Sequence, residues 1–427
     1  MILGVIADDM TGASDVALTL SQGGLSVTQV VANTESFHQY QESDVVVAAL
    51  KTRTAPVEEA VKLSLDACEK LLAAGARQVL LKICSTFDST ANGNIGPVAD
   101  ALRLRLGAGS TIVCPAFPEN GRTVFKGYLF VGQQLLHESP MKDHPLTPMR
   151  DSSLVRLMSA QTRANVGLLS LDKVTEGAGS IRESLAAGDV AGVSYFIADA
   201  IANEHLVSLV EANEMRPLLV GGSGIAIGLP GIYRRLGLQT ISRANRFRYR
   251  SRGRSAILAG SCSVATRGQI VKAIAAGFPT RKLDAVELDR NPSTIDEACA
   301  WALKQDAIKP VLIYASDAPE QVELVKRILG ESRASRVVEN ALGGIAKFLI
   351  ANGFDRLIIA GGETSGAVIQ ATSLKALQVG PEIAPGVPWM YSAHTPELAI
   401  ALKSGNFGND DFLISAWEKL TSQESVN

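Results

Sequence analysis

The chain has little sulfur and almost no net charge. Five cysteines are scattered through 427 residues, at positions 68, 84, 114, 262 and 299. An odd count without a Cys-x-x-Cys pair argues against a disulfide framework or a structural zinc, and makes a reducing cytoplasm the expected compartment. The formal net charge is −2, so no overall field favours nucleic acid or an anionic membrane as a partner. Uninterrupted apolar runs all fall short of the roughly 18 residues a membrane helix needs. The opening Met-Ile-Leu-Gly-Val-Ile-Ala-Asp-Asp-Met lacks the basic region and cleavage site of a signal peptide. Also missing are a fixed-period repeat, a low-complexity tract, a GxxxxGK[ST] phosphate loop and an intact GxGxxG fingerprint after the first strand of either half.

Apolar residues make up 46% of the chain, enough to build two cores, and the length suits two domains of roughly 150–250 residues each. Short runs of Val, Ile and Leu end in polar or glycine residues and are followed by stretches of helical spacing. This alternation predicts an α/β protein of two domains, each a mostly parallel sheet flanked by helices. Strands are expected at Ile2–Ile6, Val27–Val31, Val45–Ala49, Val79–Ile83, Thr111–Cys114, Val166–Leu169, Ser194–Ile197 and Leu218–Val220. Helices are expected at Ser14–Gln22, Val57–Ala74, Pro97–Leu106 and Leu206–Ala212. Around Leu236–Arg254 the rhythm fails and arginines gather, at 243, 246, 248, 250, 252 and 254. That run reads as a solvated strand or linker rather than a polyanion site. The expected division is 1–240, a linker at 241–254, and 255–427. In the last part strands are expected at Ala256–Ala259, Val311–Ala315, Leu357–Ala360, Trp389–Ser392 and Leu398–Leu402. Helices are expected at Arg267–Ala276, Pro319–Leu329, Ser335–Asn352 and Gly366–Ala371.

Ligands of open parallel sheets bind outside the carboxyl ends of the strands. In the first domain those ends carry Asp8, Asp9, Lys51, Arg53, Lys82, Asp88, Asn120 and Arg122, with the hydroxyls of Thr11 and Ser85 beside them. Cations suit a carboxylate or phosphate, and the acids suit hydroxyl groups as acceptors or as a general base. A small polyhydroxy acid satisfies both. The plainer reading is that some of these are turn or capping residues, with Asp9 or Thr11 capping the helix that follows.

The second domain offers glycine and hydroxyls instead. Its turns are Gly260-Ser261-Cys262-Ser263, Gly361-Gly362-Glu363-Thr364-Ser365-Gly366 and Lys403-Ser404-Gly405-Asn406-Phe407-Gly408. Glycine lets backbone amides approach a ligand closely, and amides at a helix start favour phosphate. Glu363 is a candidate for supporting Mg²⁺, directly or through water. Other conspicuous residues have ordinary explanations. His137 and His144 flank Glu138, Lys142 and Asp143 without strict ligand spacing, Cys84 reads as a packing residue, and Trp389 as a core aromatic.

With these residues in view, the chain resembles the four-carbon acid sugar kinase family, most closely its 3-oxo-tetronate kinase branch. The resemblance is carried by Ile6 through Ala13, Lys82 through Asp88, Cys114 through Thr123, His144 through Met149, Gly221 through Gly224, Gly260 through Ser263 and Gly361 through Gly366. It implies an N-terminal domain that binds the sugar acid, a C-terminal domain that binds ATP, and chemistry in the cleft between them. Ser261, and less directly Ser263, would contact ATP. Gly361, Gly362, Glu363 and Thr364 would form the phosphate turn, with Gly405 against the nucleotide. Beside what the resemblance implies, the grouping of cations and acids in the first domain itself suggests that Arg53, Lys82 and Arg122 hold a substrate carboxylate, and that Asp8 or Asp9 holds the terminal hydroxyl and accepts its proton. Threonate- and erythronate-type members tend to carry Lys-x-Asp-Ser-Thr followed by Arg-Gly. Here Cys84 takes the third place and Phe87-Asp88-Ser89 follows, which favours the 3-oxo branch. The expected partners are a small sugar acid and ATP with Mg²⁺, without nucleic acid or membrane, and with a homodimer as one assembly. A D-threonate or D-erythronate 4-kinase and a non-catalytic sugar-acid sensor are the alternatives.

Overall fold

The computed structural model describes residues 1–31, 36–143, 147–214, 216–238, 253–392 and 397–421. The chain divides into two compact units, Met1–Asn245 and Arg246–Asn427. The expected linker lies outside the described residues, apart from Gly253 and Arg254.

The first unit contributes β1 (Leu3–Ala7), β2 (Val27–Val31), β3 (Val45–Ala49), β4 (Gln78–Lys82), β5 (Thr111–Cys114), β6 (Arg122–Phe125), β7 (Tyr128–Val131), β8 (Gln134–Leu135), β9 (Asn165–Leu169), β10 (Val193–Ala198) and β11 (Leu218–Gly221). Its main sheet is parallel throughout, in the order β2-β3-β1-β4-β11-β5-β10-β9. Every residue of β1, β3 and β4 is buried, which is why β1 and β3, and β4 between Gln78 and Lys82, read as continuous apolar runs rather than alternating ones. Neighbours β1 and β4 send the chain to opposite sides, β1 toward β2 and β4 toward β5. Their carboxyl ends therefore form a topological switch point, the place where such sheets leave a crevice.

The helix after β1 runs Met10–Gln22, starting four residues before the expected Ser14. Asp9 is its N-cap, accepting from the Gly12 amide at 2.9 Å. A sequence of Met, Thr and Gly does not advertise a helix, but a capping aspartate supplies the missing acceptor and allows an early start. The antiparallel β6-β7-β8 meander and the helices Leu154–Gln161 and Ala178–Ala191 were not among the expected elements. His137 hydrogen-bonds Ser152 Oγ at 2.7 Å beside this meander, a structural role; His144 is outside the described residues.

The second unit contributes β12 (Arg254–Ala259), β13 (Thr280–Lys282), β14 (Val311–Tyr314), β15 (Phe354–Ala360), β16 (Ala376–Ala384), β17 (Val387–Ser392) and β18 (Leu398–Lys403). Within the unit the order is β13-β14-β12-β15-β18-β17-β16, parallel from β13 to β18 and antiparallel from β18 to β16. Adjacent β12 and β15 also lead the chain to opposite sides, so the second unit has its own switch point. Ile257, Leu312, Ile358, Trp389 and Phe412 belong to its core. Trp389 is fully buried and its indole N–H donates to the Ala416 carbonyl at 2.9 Å, so it is a core residue. Arg254 donates to the carbonyls of Ala302, Leu303 and Gln305 at the end of the helix Ser293–Lys304, and its guanidinium lies over the Phe354 ring at 4.5 Å. That one arginine of the basic run closes a helix, where its charge favours the carbonyl end.

Candidate active site

At the first switch point the chain places opposite charges in direct contact. Asp8 follows β1, and its carbonyl accepts from the amides of Thr52 and Arg53 at 2.9 and 3.0 Å, which ties the loop after β3 to the end of β1. The Arg53 side chain then forks onto Asp8, with Nε to Oδ2 at 3.0 Å and Nη2 to Oδ1 at 2.7 Å. The same Nη2 reaches Asp9 Oδ1 at 2.7 Å, and Nη1 stands 3.9 Å from Asp88 Oδ2. Thr11 donates to Asp9 Oδ2 at 2.7 Å. Lys82, at the end of β4, is buried and gives one hydrogen bond to the Ile83 carbonyl at 2.9 Å. Gly12 is required by this crowding: a Cβ there would collide with Asp9 Oδ1 and stand 2.9 Å from Lys82 Nζ.

The two neighbouring acids differ in proton affinity. Burial pushes the Asp8 carboxyl up and prevails over Arg53. Burial acts on Asp9 as well, but Arg53, Lys82 and the bonds from Thr11 and Gly12 outweigh it and hold that carboxyl below the usual range. Asp9 is thus a cap and an ion-pair partner at once, with both oxygens engaged.

The loop after β4 is strained. Phe87 and Asp88 both have positive φ, 64° and 35°, consecutive departures that ordinary side chains avoid. Thr86 bridges this loop, donating to Asp88 Oδ1 at 2.8 Å and lying 3.1 Å from Cys84 Sγ. Burial pushes the Cys84 thiol up to about 12, away from the thiolate that a nucleophile requires. Ser85 is half-buried on the same loop, and Lys51 is exposed. Asn120 ends a short turn after β5, where Arg122 donates from its guanidinium to the Asn120 carbonyl and leaves a buried Nε without a partner among the described residues.

One acid escaped the sequence reading. Asp15 lies on the buried side of the helix Met10–Gln22 and accepts from Ser223 Oγ at 2.6 Å, while its Oδ1 is buried without a partner among the described residues. Burial pushes its carboxyl up, against the pull of Lys82 and the Ser223 bond. A carboxylate inside Ala-Ser-Asp-Val-Ala-Leu is the signal that could have found it. Orphaned buried groups of opposite sign, Asp15 Oδ1 and Arg122 Nε, are what a polar ligand would satisfy.

The second switch point is built from backbone and hydroxyls. The amides of Gly260 and Ser261 donate to the Ala360 carbonyl at 3.1 Å, and Gly361 donates to the Lys403 carbonyl at 2.8 Å, so three turns are sewn together. A Cβ on Gly260 would collide with Thr364 Oγ1, and one on Gly405 with Ser261 Oγ. Gly361 has φ +134° and opens the helix Gly362–Thr372, whose first amides point away from the helix body. Ser263 caps the helix Val264–Ala275 and donates to the Gly405 carbonyl at 2.6 Å. Thr364 is buried between the turns and Glu363 is exposed in the first helical turn. Lys403 is fully buried; burial works against its ammonium, and the carbonyl and hydroxyl oxygens packed around Nζ work for it. Among the described residues no three His, Cys, Asp or Glu side chains converge as a metal-ligand set.

Residues 3–229 match the model of a sugar-binding N-terminal domain and residues 256–413 that of a nucleotide-binding C-terminal domain. Over 421 residues the chain is 47% identical to a 3-oxo-tetronate kinase of Cupriavidus necator, covering 98% of this chain and 97% of that one. A 3-oxo-tetronate kinase of Pseudomonas savastanoi pv. phaseolicola is 46% identical over the same length and shares. The chain belongs to the four-carbon acid sugar kinase family, in its 3-oxo-tetronate kinase branch. Crystal structures within reach of this family member come from Salmonella typhimurium LT2 and Haemophilus influenzae. Each is 40% identical, with TM-scores of 0.84 and 0.76; both comparisons cover 97% of this chain, and 98% and 99% of the respective partner. None of the described helices is long and apolar enough to cross a membrane.

Proposed function

We propose that this chain is an ATP-dependent kinase that phosphorylates the 4-hydroxyl of 3-oxo-tetronate, giving 3-oxo-tetronate 4-phosphate and ADP. The observation that carries the reading is the similarity of 46–47%, over nearly the whole chain, to relatives named 3-oxo-tetronate kinase. The two switch points support it with chemistry suited to each reactant. The first unit, 1–240, is the sugar-acid domain and 255–427 the ATP domain.

Phosphoryl transfer asks a protein mainly for positioning and for neutralising charge. Lys82 and Arg122 hold the substrate carboxylate, with Arg53 fixing the acids beside it. Thr11, Ser85, Asp88 and Asn120 take the remaining oxygens. Asp8, whose proton affinity burial has raised, accepts the proton of the 4-hydroxyl as that oxygen bonds the γ-phosphorus and the bond to the β-phosphate oxygen breaks. Asp9, held ionised by its partners, keeps Arg53 and Thr11 in place. Ser261, Ser263, Gly361, Gly362, Thr364 and Gly405 line the nucleotide. Mg²⁺ would neutralise phosphate charge, with the exposed Glu363 as its protein partner; one carboxylate plus phosphates is a common way to hold this ion.

The test is ADP release with ATP and Mg²⁺ across D- and L-3-oxo-tetronate, D-threonate, D-erythronate, a hexose acid and no acceptor. Release with a 3-oxo acid alone is expected. Release with threonate or erythronate would reassign the substrate, and ATP binding without acceptor-dependent release would favour a sensor. Asp8→Asn is expected to lower kcat by about a hundredfold or more. Near-normal turnover in both Asp8→Asn and Asp9→Asn would remove the base assignment.

A further inference from the structure

Lys403 ends β18, and its side chain has no exposed surface. Burying an ammonium is costly unless oxygens replace its water. Here four oxygens do so: the carbonyls of Ser404 and Gly405 at 3.0 Å, that of Phe407 at 3.1 Å, and Thr266 Oγ1 at 3.2 Å. Three side chains on one face of the helix Val264–Ala275 and at its cap hold the same loop. Ser263 Oγ and Thr266 Oγ1 donate to the Gly405 carbonyl at 2.6 and 2.9 Å. Gln269 Nε2 donates to the carbonyls of Phe407, Gly408 and Asn409 at 3.1, 3.1 and 2.9 Å.

The carbonyls of residues 404, 405 and 407 are thus all drawn toward one buried cation. A trans peptide points its C=O and the following N–H in opposite directions. Drawing in the Ser404 and Gly405 carbonyls therefore turns the amides of Gly405 and Asn406 away from Lys403. Those two amides donate to no acceptor among the described residues. Successive unpaired amides in a glycine turn form an anion-binding concavity, and the buried charge behind them adds to its positive potential.

We propose that Lys403 is the internal cation of the nucleotide turn, a positioning residue whose caged ammonium aims the Gly405 and Asn406 amides at an ATP phosphate. The proposal rests on the nucleotide role assigned to this turn above. A cage of carbonyl and hydroxyl oxygens around an ammonium is chemically equivalent to a potassium or ammonium ion site. The side chain supplies in covalent form what a free monovalent ion would otherwise supply.

The experiment uses full-length Lys403→Met, which keeps volume without charge, and Lys403→Ala, which leaves room for an ion. Each is measured for the KM of ATP, the KM of the acid and melting temperature, in ammonium, potassium, sodium and tetramethylammonium chloride at equal ionic strength. The expected result is an ATP KM raised at least tenfold in both variants with the acid KM within twofold. The alanine variant alone should recover at least threefold in ammonium or potassium over tetramethylammonium. If alanine folds poorly, the same salt order in its melting temperature is expected. An unchanged ATP KM in Lys403→Met, or identical behaviour of Lys403→Ala in all four salts, would overturn the internal-cation role. Gly405→Ala separates the two layers of the argument. If it abolishes ATP binding while the Lys403 variants do not, only the role of Lys403 fails. If neither position affects ATP binding, the nucleotide reading of the turn fails with it.

Discussion

The two switch points of this molecule hold charge in opposite ways. In the first unit, side chains of both signs are packed against one another: Arg53 serves Asp8 and Asp9 together and approaches Asp88, while Lys82 is buried beside them. In the second, the surface offered to a ligand is backbone, with glycines at 260 and 405 where a Cβ would collide, and the buried Lys403 lies beneath the loop. Ion pairs between side chains give a small, asymmetric acid many distinct contacts, each able to discriminate one oxygen from another. Amide turns give a phosphate chain uniform positive potential with little dependence on any one side chain. The difference predicts that damage in the first unit is electrostatic and large, and in the second steric and more local.

Arg53→Met attacks the first arrangement at its hub and is expected to have the largest effect. It leaves the buried Asp8 and the half-buried Asp9 as neighbours with Lys82 beside them; because Arg53 keeps 21% of its side chain exposed, the loss falls below the roughly 3–5 kcal/mol of a fully buried pair. Thermal unfolding should show a large fall in Tm at pH 7, and activity should drop by about a hundredfold or more. Because burial already favours a proton on Asp8, part of the lost stability should return as the pH falls below neutrality. A variant as stable as the parent at neutral pH would mean the cluster is held by its backbone ties instead.

Gly361→Ala attacks the second arrangement. Gly361 sits at φ +134°, and a Cβ would stand 2.8 Å from Thr364 Oγ1 and 3.2 Å from the Ser261 amide. Strain of this kind costs about 1–3 kcal/mol. The expected outcome is an ATP KM raised about tenfold, with the KM for the acid unchanged. If the acid KM rose equally, the steric damage would not be confined to the nucleotide turn and the comparison would fail.

Much of both sites was legible because buried parallel strands leave a plain trace. β1 and β3 are apolar throughout and β4 is apolar between Gln78 and Lys82, and the polar residues at or just beyond each carboxyl end mark where the sheet opens. Asp8 directly after β1, Arg53 in the loop after β3 and Lys82 at the last position of β4 were found that way. What stayed hidden had its cause in long-range packing. Asp15 and its donor Ser223 are 208 positions apart, and an acid within a helix reads as part of a solvated face. Lys403 looked like the first polar residue after a strand, and only the carbonyls of 404, 405 and 407 around it reveal that it points inward. The helices at Met10 and Gly362 were read as starting too late. Glycine and threonine in their first turns have low helix propensity, and in the first case the Asp9 cap overrides it.

The smallest expected effect lies within the first unit and separates its two adjacent acids by pH. Asp9 has a folded pKa below its unfolded value of 3.8. Its ionised form therefore contributes stability that is fully present above pH 3.8 and is lost as pH falls through the folded pKa. Asp8 has a folded pKa above 3.8, so the folded state binds the extra proton between the two values. Stability from this group rises as pH falls from neutrality toward 3.8 and gains nothing further below it. Asp8→Asn should flatten the weakly acidic side of a Tm-against-pH curve, above pH 3.8, and Asp9→Asn should flatten the strongly acidic side, below it. If the two substitutions flattened the same side, the acids would be titrating as one shared site, and the assignment of the base to Asp8 alone would have to be replaced by an assignment to the pair.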